Sequence, residues 1–145
     1  MKKQGLGTVF LFLAVICGVA GMILYYINAT AKYYDDFQIT VIMWGIAGIL
    51  VVIVNAFCER KWEYMKWTSL LYPLAGVLFA VTAVMFIGER VESAAIILGS
   101  NLESGNTLAK ILLYQAFAGI GCFLAGMLLV GVAAFFNQER AAVKE

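Results

Sequence analysis

Histidine is missing from this 145-residue chain and proline occurs once. Without an imidazole, proton relays through histidine and histidine-ligated metal centres are excluded. The three cysteines, Cys17, Cys58 and Cys122, are odd in number and far apart. They imply no disulfide framework, and without a C-x-x-C pair a thiol oxidoreductase is disfavoured. Small buried apolar residues is the reading that remains. Charge is scarce as well. Soluble domains carry roughly 45–50% apolar and about 25% charged residues, whereas this chain has 63% and 13%.

The scarcity is not uniform. Residues 4–31, 37–58, 67–88 and 111–138 contain no Asp, Glu, Lys or Arg, and all ten basic and nine acidic side chains lie between or outside these windows. A transmembrane helix needs roughly 20 mostly apolar residues to cross a hydrocarbon core about 30 Å thick. Closed barrels also span membranes, but their strands alternate apolar and polar residues. Val9 to Leu24, Ile46 to Val54, Leu74 to Phe86 and Ile120 to Phe136 do not alternate. The expected fold is therefore an all-α integral membrane protein. It is a single transmembrane domain over residues 1–145, a four-helix bundle with helices near 6–27, 39–57, 67–87 and 108–136.

Loops left in the cytoplasm keep an excess of Lys and Arg. Lys2, Lys3, Arg60, Lys61, Lys66, Arg140 and Lys144 fall on one side, and Lys32, Arg90 and Lys110 on the other. Seven basic residues against three put both termini and the middle loop in the cytoplasm of a plasma-membrane protein. Ala29-Thr30-Ala31 resembles a signal-peptide cleavage site. Signal h-regions run roughly 7–15 apolar residues, and the run before it is longer, so four spans rather than three are expected.

Along the chain, Tyr25, Tyr26, Tyr33 and Tyr34 read as an interfacial belt. Asn28-Ala29-Thr30 matches a glycosylation sequon against the membrane surface and is taken as chance. The middle loop sets Trp62 and Trp67 beside basic residues, as headgroup anchors do. Tyr72-Pro73 predicts a kink in helix 3, since proline removes the bond to the Ser69 carbonyl. In Gly88 to Lys110, Val91, Ala94, Ala95 and Leu98 recur at helical spacing. They predict a short amphipathic outer helix between helices 3 and 4, continuing helix 3 or lying on the surface. Asn106 is suited to cap helix 4. In helix 4, Ala118, Cys122 and Gly126 recur every four residues, and helix 1 offers Ala14 and Gly18. Small residues at such spacing let helices approach closely, within one bundle or across a homo-oligomer.

Chemistry is sparse. Coupled transport normally relies on an ionisable residue inside the membrane, and the windows hold none. Asn55 and Gln115 lie within ~8 Å of a helix end at 1.5 Å per residue and are expected to face interfacial water. Thr82 and Tyr72 are deeper, and a helical hydroxyl usually bonds its own backbone. Glu89 and Glu92 share a helix face that Asp35 and Asp36 can approach, but the spacing is not that of a calcium loop. No phosphate-binding, dinucleotide or zinc motif is present, and no basic stripe suits a nucleic acid. No catalytic, cofactor-binding or metal-ligating residue is therefore expected. The expected role is structural or accessory, through helix packing and an outer loop in which Glu89, Arg90 and Glu92 are candidates to contact a partner. The expected surroundings are the lipid bilayer and either a homo-oligomer or a larger membrane complex. A pore or carrier for an uncharged or lipid-like substrate ranks second, and a membrane enzyme third.

Overall fold

The computed structural model describes residues 5–61, 68–100, 103 and 105–136. They form α1 (Leu6–Ala29), α2 (Ile39–Lys61), α3 (Leu71–Gly99) and α4 (Thr107–Ala133), with a 3-10 turn, Thr68–Leu70, leading into α3. All four are long and apolar enough to cross a membrane, the build of a multi-pass helical membrane protein. Trp62, Lys66 and Trp67 of the middle loop, with Lys2, Lys3, Arg140 and Lys144, lie outside the described residues.

The helices form a closed ring of neighbours. α1 packs on α4 and α2, and α3 packs on α2 and α4, with α1 and α4 sharing the largest interface. The buried positions explain why. On α1 they include a stripe through Leu11, Ala14, Gly18, Gly21, Tyr25 and Asn28, and on α4 one through Leu112, Ala116, Gly119, Phe123, Gly126, Val130 and Ala133. Steps of three and four alternate, so each stripe repeats every 3.5 residues, the period that keeps one face on its neighbour in a left-handed bundle. Val41, Gly45, Gly48, Val52 and Asn55 continue the pattern on α2.

The bundle closes by setting aromatic rings against glycines. The Phe79 ring of α3 lies against Gly18 of α1, Gly48 of α2 and Gly126 of α4. A β-carbon built on any of the three would approach it to 3.0, 3.0 and 3.2 Å respectively. Phe123 fills the space at Gly21 and Phe86 that at Gly119, where a β-carbon would come within 3.0 and 2.8 Å. Large apolar side chains such as Phe12, Val84 and Leu128 point outward instead, each more than 60% exposed. That arrangement suits lipid, where burying such residues between helices gains little.

Of the two placements expected for residues 89–98 the structure has the first, since they continue α3, which runs unbroken to Gly99. At 1.5 Å per residue this helix is roughly 43 Å long, so its last turns project beyond the apolar span. Three other expectations change. Of the apolar residues expected to share a face in this segment, Ala94 packs against the bundle and the other three face away from it. Val91 and Leu98 are exposed, while Arg90 and Ile97 are buried, because the core stripe of Ala75, Phe79 and Phe86 carries straight on. The proline expected inside helix 3 lies at its start instead. The α-helix begins at Leu71, which places proline in the first turn, where its missing N–H has no helical acceptor to lose. On α4, Ala118 is exposed and Cys122 half-buried, while Ala14, Gly18 and Gly126 lie buried between helices. A strict four-residue repeat rotates off the contact face, and the residues that meet α1 and α3 are Ala116, Gly119, Phe123 and Gly126.

Candidate functional site

Charge and polarity enter the bundle at one end, where the C-terminal turns of α1 and α3 meet the N-terminal turns of α2 and α4. Arg90 is the centre. It sits four residues beyond Phe86 on the buried stripe of α3 and is 1% exposed. Its Nε donates to Asn28 Oδ1 at 2.7 Å. One terminal nitrogen donates to Asp36 Oδ2 and to the Glu89 carbonyl, and the other to Asp36 Oδ1 at 2.9 Å. The guanidinium lies 4.0 Å from the Tyr34 ring centroid and 5.7 Å from that of Phe86, a geometry in which aromatic faces attract a cation.

The connection between α1 and α2 delivers two of these partners. Tyr34 N–H and Asp35 N–H both donate to the Ala31 carbonyl, at 3.0 and 2.9 Å, and Asp36 N–H returns to that of Ala29 at 3.2 Å. Asp35 adopts φ 45°, a left-handed turn that Asp tolerates better than most residues, and the chain reverses so that Asp36 meets Arg90. Burial pushes the Tyr34 hydroxyl above the ordinary phenol range, against the opposing influence of Arg90.

Asn28 closes the network toward α4. Its Nδ2 donates to the Leu112 carbonyl at 2.7 Å, and with no exposed surface its amide is committed to the core rather than to a glycan. Tyr25, one turn earlier, is also fully buried and is not part of an interfacial belt. Its ring meets Phe86 edge-on at 4.9 Å. Its hydroxyl accepts from Gln38 N–H at 3.0 Å and lies 3.2 Å from both the Gln38 carbonyl and Glu89 Oε1. The Glu89 side chain is 7% exposed and its Oε2 is 3.9 Å from an Arg90 nitrogen.

Of the three residues expected to face a partner, therefore, Glu89 and Arg90 are inside the bundle and only Glu92 is exposed. The convergence of four carboxylates is also corrected: Asp35 and Glu92 point to the surroundings, and a guanidinium stands where a cation would have to sit between Asp36 and Glu89. Among the described residues no group of three or more potential ligands forms a metal site. The sequence did contain a signal for this cluster. Tyr25 and Asn28 lie at heptad steps from Gly18 and Gly21, as Arg90 does from Ala83, so extending the core stripes through the polar residues places all three inside.

Two further features lie along the bundle. Asn55, expected at interfacial water, is fully buried. Neither its amide nitrogen nor its oxygen has a partner among the described residues. A buried amide without hydrogen bonds costs about 1–3 kcal/mol. Asn55→Leu, which keeps the branched outline and removes the polar atoms, is expected to raise stability by about that amount, measured by denaturant titration in mixed micelles. A loss of stability would mean that the amide does have a partner. Gln115 is half-buried, and the Thr82 hydroxyl bonds its own helix at the Leu78 carbonyl, 2.8 Å away. Between α3 and α4, at the end opposite the polar cluster, Pro73, Gly76, Ala80, Met127, Gly131 and Phe135 line an open apolar groove of about 440 Å³.

No family model, curated protein or solved structure matches this chain. Its function has to be argued from the site alone.

Proposed function

We propose that this chain is a structural or accessory protein of the plasma membrane, with both termini in the cytoplasm and its polar end outside. The observation that carries this reading is the state of Arg90. Four of its five N–H bonds are taken up by Asn28, Asp36 and the Glu89 carbonyl. A guanidinium so engaged acts as a brace between α1, α3 and the connection, and has little left to offer a substrate. What the polar end presents to a neighbour is its exposed charge, Lys32, Asp35 and Glu92.

Site-specific crosslinking from these positions in native membranes, followed by purification in mild detergent, tests the proposal. A crosslinked second copy or a defined membrane partner is expected, and charge reversal at Lys32 and Glu92 should weaken the crosslink while leaving the melting midpoint unchanged. A strictly monomeric, partner-free protein would overturn it.

A pore or carrier for an uncharged or lipid-like substrate remains the second reading, favoured by the apolar groove between α3 and α4. Proteoliposome transfer of a labelled lipid, lost when Gly76→Leu fills the groove, would promote it. A membrane enzyme has the least support, because Asp36, one of the carboxylates it would need, is already paired with Arg90.

A further inference from the structure

Two negative charges and one positive charge are drawn into the polar end of the bundle, and hydrogen-bond geometry divides them unequally. Asp36 takes both terminal nitrogens of Arg90, a bidentate pairing that satisfies the cation. Glu89 is left over. Its Oε2 is buried with no hydrogen-bond partner, and at 3.9 Å the nearest Arg90 nitrogen is an ion-pair neighbour, not a donor. Its Oε1 has only the Tyr25 hydroxyl, which carries a single hydrogen and lies equally close to the Gln38 carbonyl. The charged and titratable groups that face Glu89 are Tyr25 from α1, Asp36 from the connection and Arg90 on its own helix.

We propose that Glu89 is a proton-binding site, held as a neutral carboxylic acid whose hydrogen latches the connection between α1 and α2 to the end of the bundle. With the proton on Oε1, Glu89 donates to the Tyr25 oxygen, and the Tyr25 hydrogen passes to the Gln38 carbonyl. Gln38 N–H donates back to Tyr25, so Glu89 Oε1, the Tyr25 hydroxyl and both Gln38 backbone groups have partners. The cluster then contains one cation and one anion. An ionised Glu89 would instead leave an uncompensated charge in the bundle, which such sites avoid by taking up a proton. It would also claim the Tyr25 hydrogen, strip the Gln38 carbonyl of its donor and compete with Asp36 for Arg90. Proton loss at Glu89 therefore loosens the connection, and does so as pH rises.

Infrared spectroscopy of the full chain in nanodiscs at neutral pH tests this. One protonated-carboxyl carbonyl band is expected, shifted when only glutamate is carbon-13 labelled and lost in Glu89→Gln. Protection of the Gln38 amide, its exchange rate relative to the intrinsic base-catalysed rate at each pH, should fall at alkaline pH in the natural protein and stay constant in Glu89→Gln, whose amide donates to Tyr25 in the proton's place. If Glu89→Gln does not fold, the labelled natural protein still decides. A spectrum without a protonated glutamate band overturns the proposal, as does one whose band survives Glu89→Gln.

Discussion

Arg90→Leu is expected to destabilise the bundle by about 2–3 kcal/mol, below the roughly 3–5 kcal/mol for breaking a fully buried ion pair, because the Asp36 side chain is 38% exposed and can be solvated once it is left behind. Most of that cost arises from what stays behind. Asp36 loses both of its guanidinium contacts, and Asn28 loses the donor to its Oδ1 while its Nδ2 remains tied to Leu112. Lysine is no substitute, because an ammonium cannot reach Asn28 and grip Asp36 in the planar fork that the guanidinium provides. Removing both charges is a different experiment. Replacing a whole buried pair by apolar residues is often neutral, so adding Asp36→Leu to Arg90→Leu should restore much of the loss. A double-mutant cycle in mixed micelles measures that coupling. If Arg90→Leu melts like the natural protein, the brace contributes nothing and the proposed role of this end loses its support.

The four spans were legible because exclusion of charge from a hydrocarbon core is a one-dimensional signal. So was the N-cap of α4, where Asn106 Oδ1 accepts from Ala109 N–H at 3.1 Å: a cap depends on residues three apart. The polar cluster was not, for two physical reasons. Charge-free windows place Glu89 and Arg90 correctly outside the apolar run, but being beyond the membrane core does not mean being exposed. A helix longer than the core carries its buried stripe past the rim, and α3 does so as far as Ile97. The second reason is distance along the chain. Arg90 pairs with Asn28 across 62 residues and with Asp36 across 54, and no local pattern specifies such contacts. Asn55 fails in the opposite way: its depth was judged from its distance to the helix end, whereas its burial follows from sitting on the same stripe as Gly48 and Val52.

Phe79→Ala is the other large effect, expected to cost about 3 kcal/mol, the lower part of the range for removing a core phenylalanine. The lower part applies because helices associating in lipid gain little from hydrophobic transfer and depend on close packing. Packing is what this ring supplies, since it touches three other helices at their glycines. The same geometry predicts how its neighbours couple to it. In the natural protein Gly18→Ala and Gly48→Ala each force a β-carbon to 3.0 Å from the ring, so both should destabilise. With Phe79 reduced to alanine, the ring that either β-carbon would strike is gone, and the new methyl groups fill part of the cavity. Gly48→Ala should then become neutral or stabilising, while Gly18→Ala keeps a residual penalty from its 2.8 Å approach to Ile49. Unfolding titrations of the single and double variants read this directly. Additive losses at Gly48 would show that its lack of a side chain serves something other than the Phe79 ring.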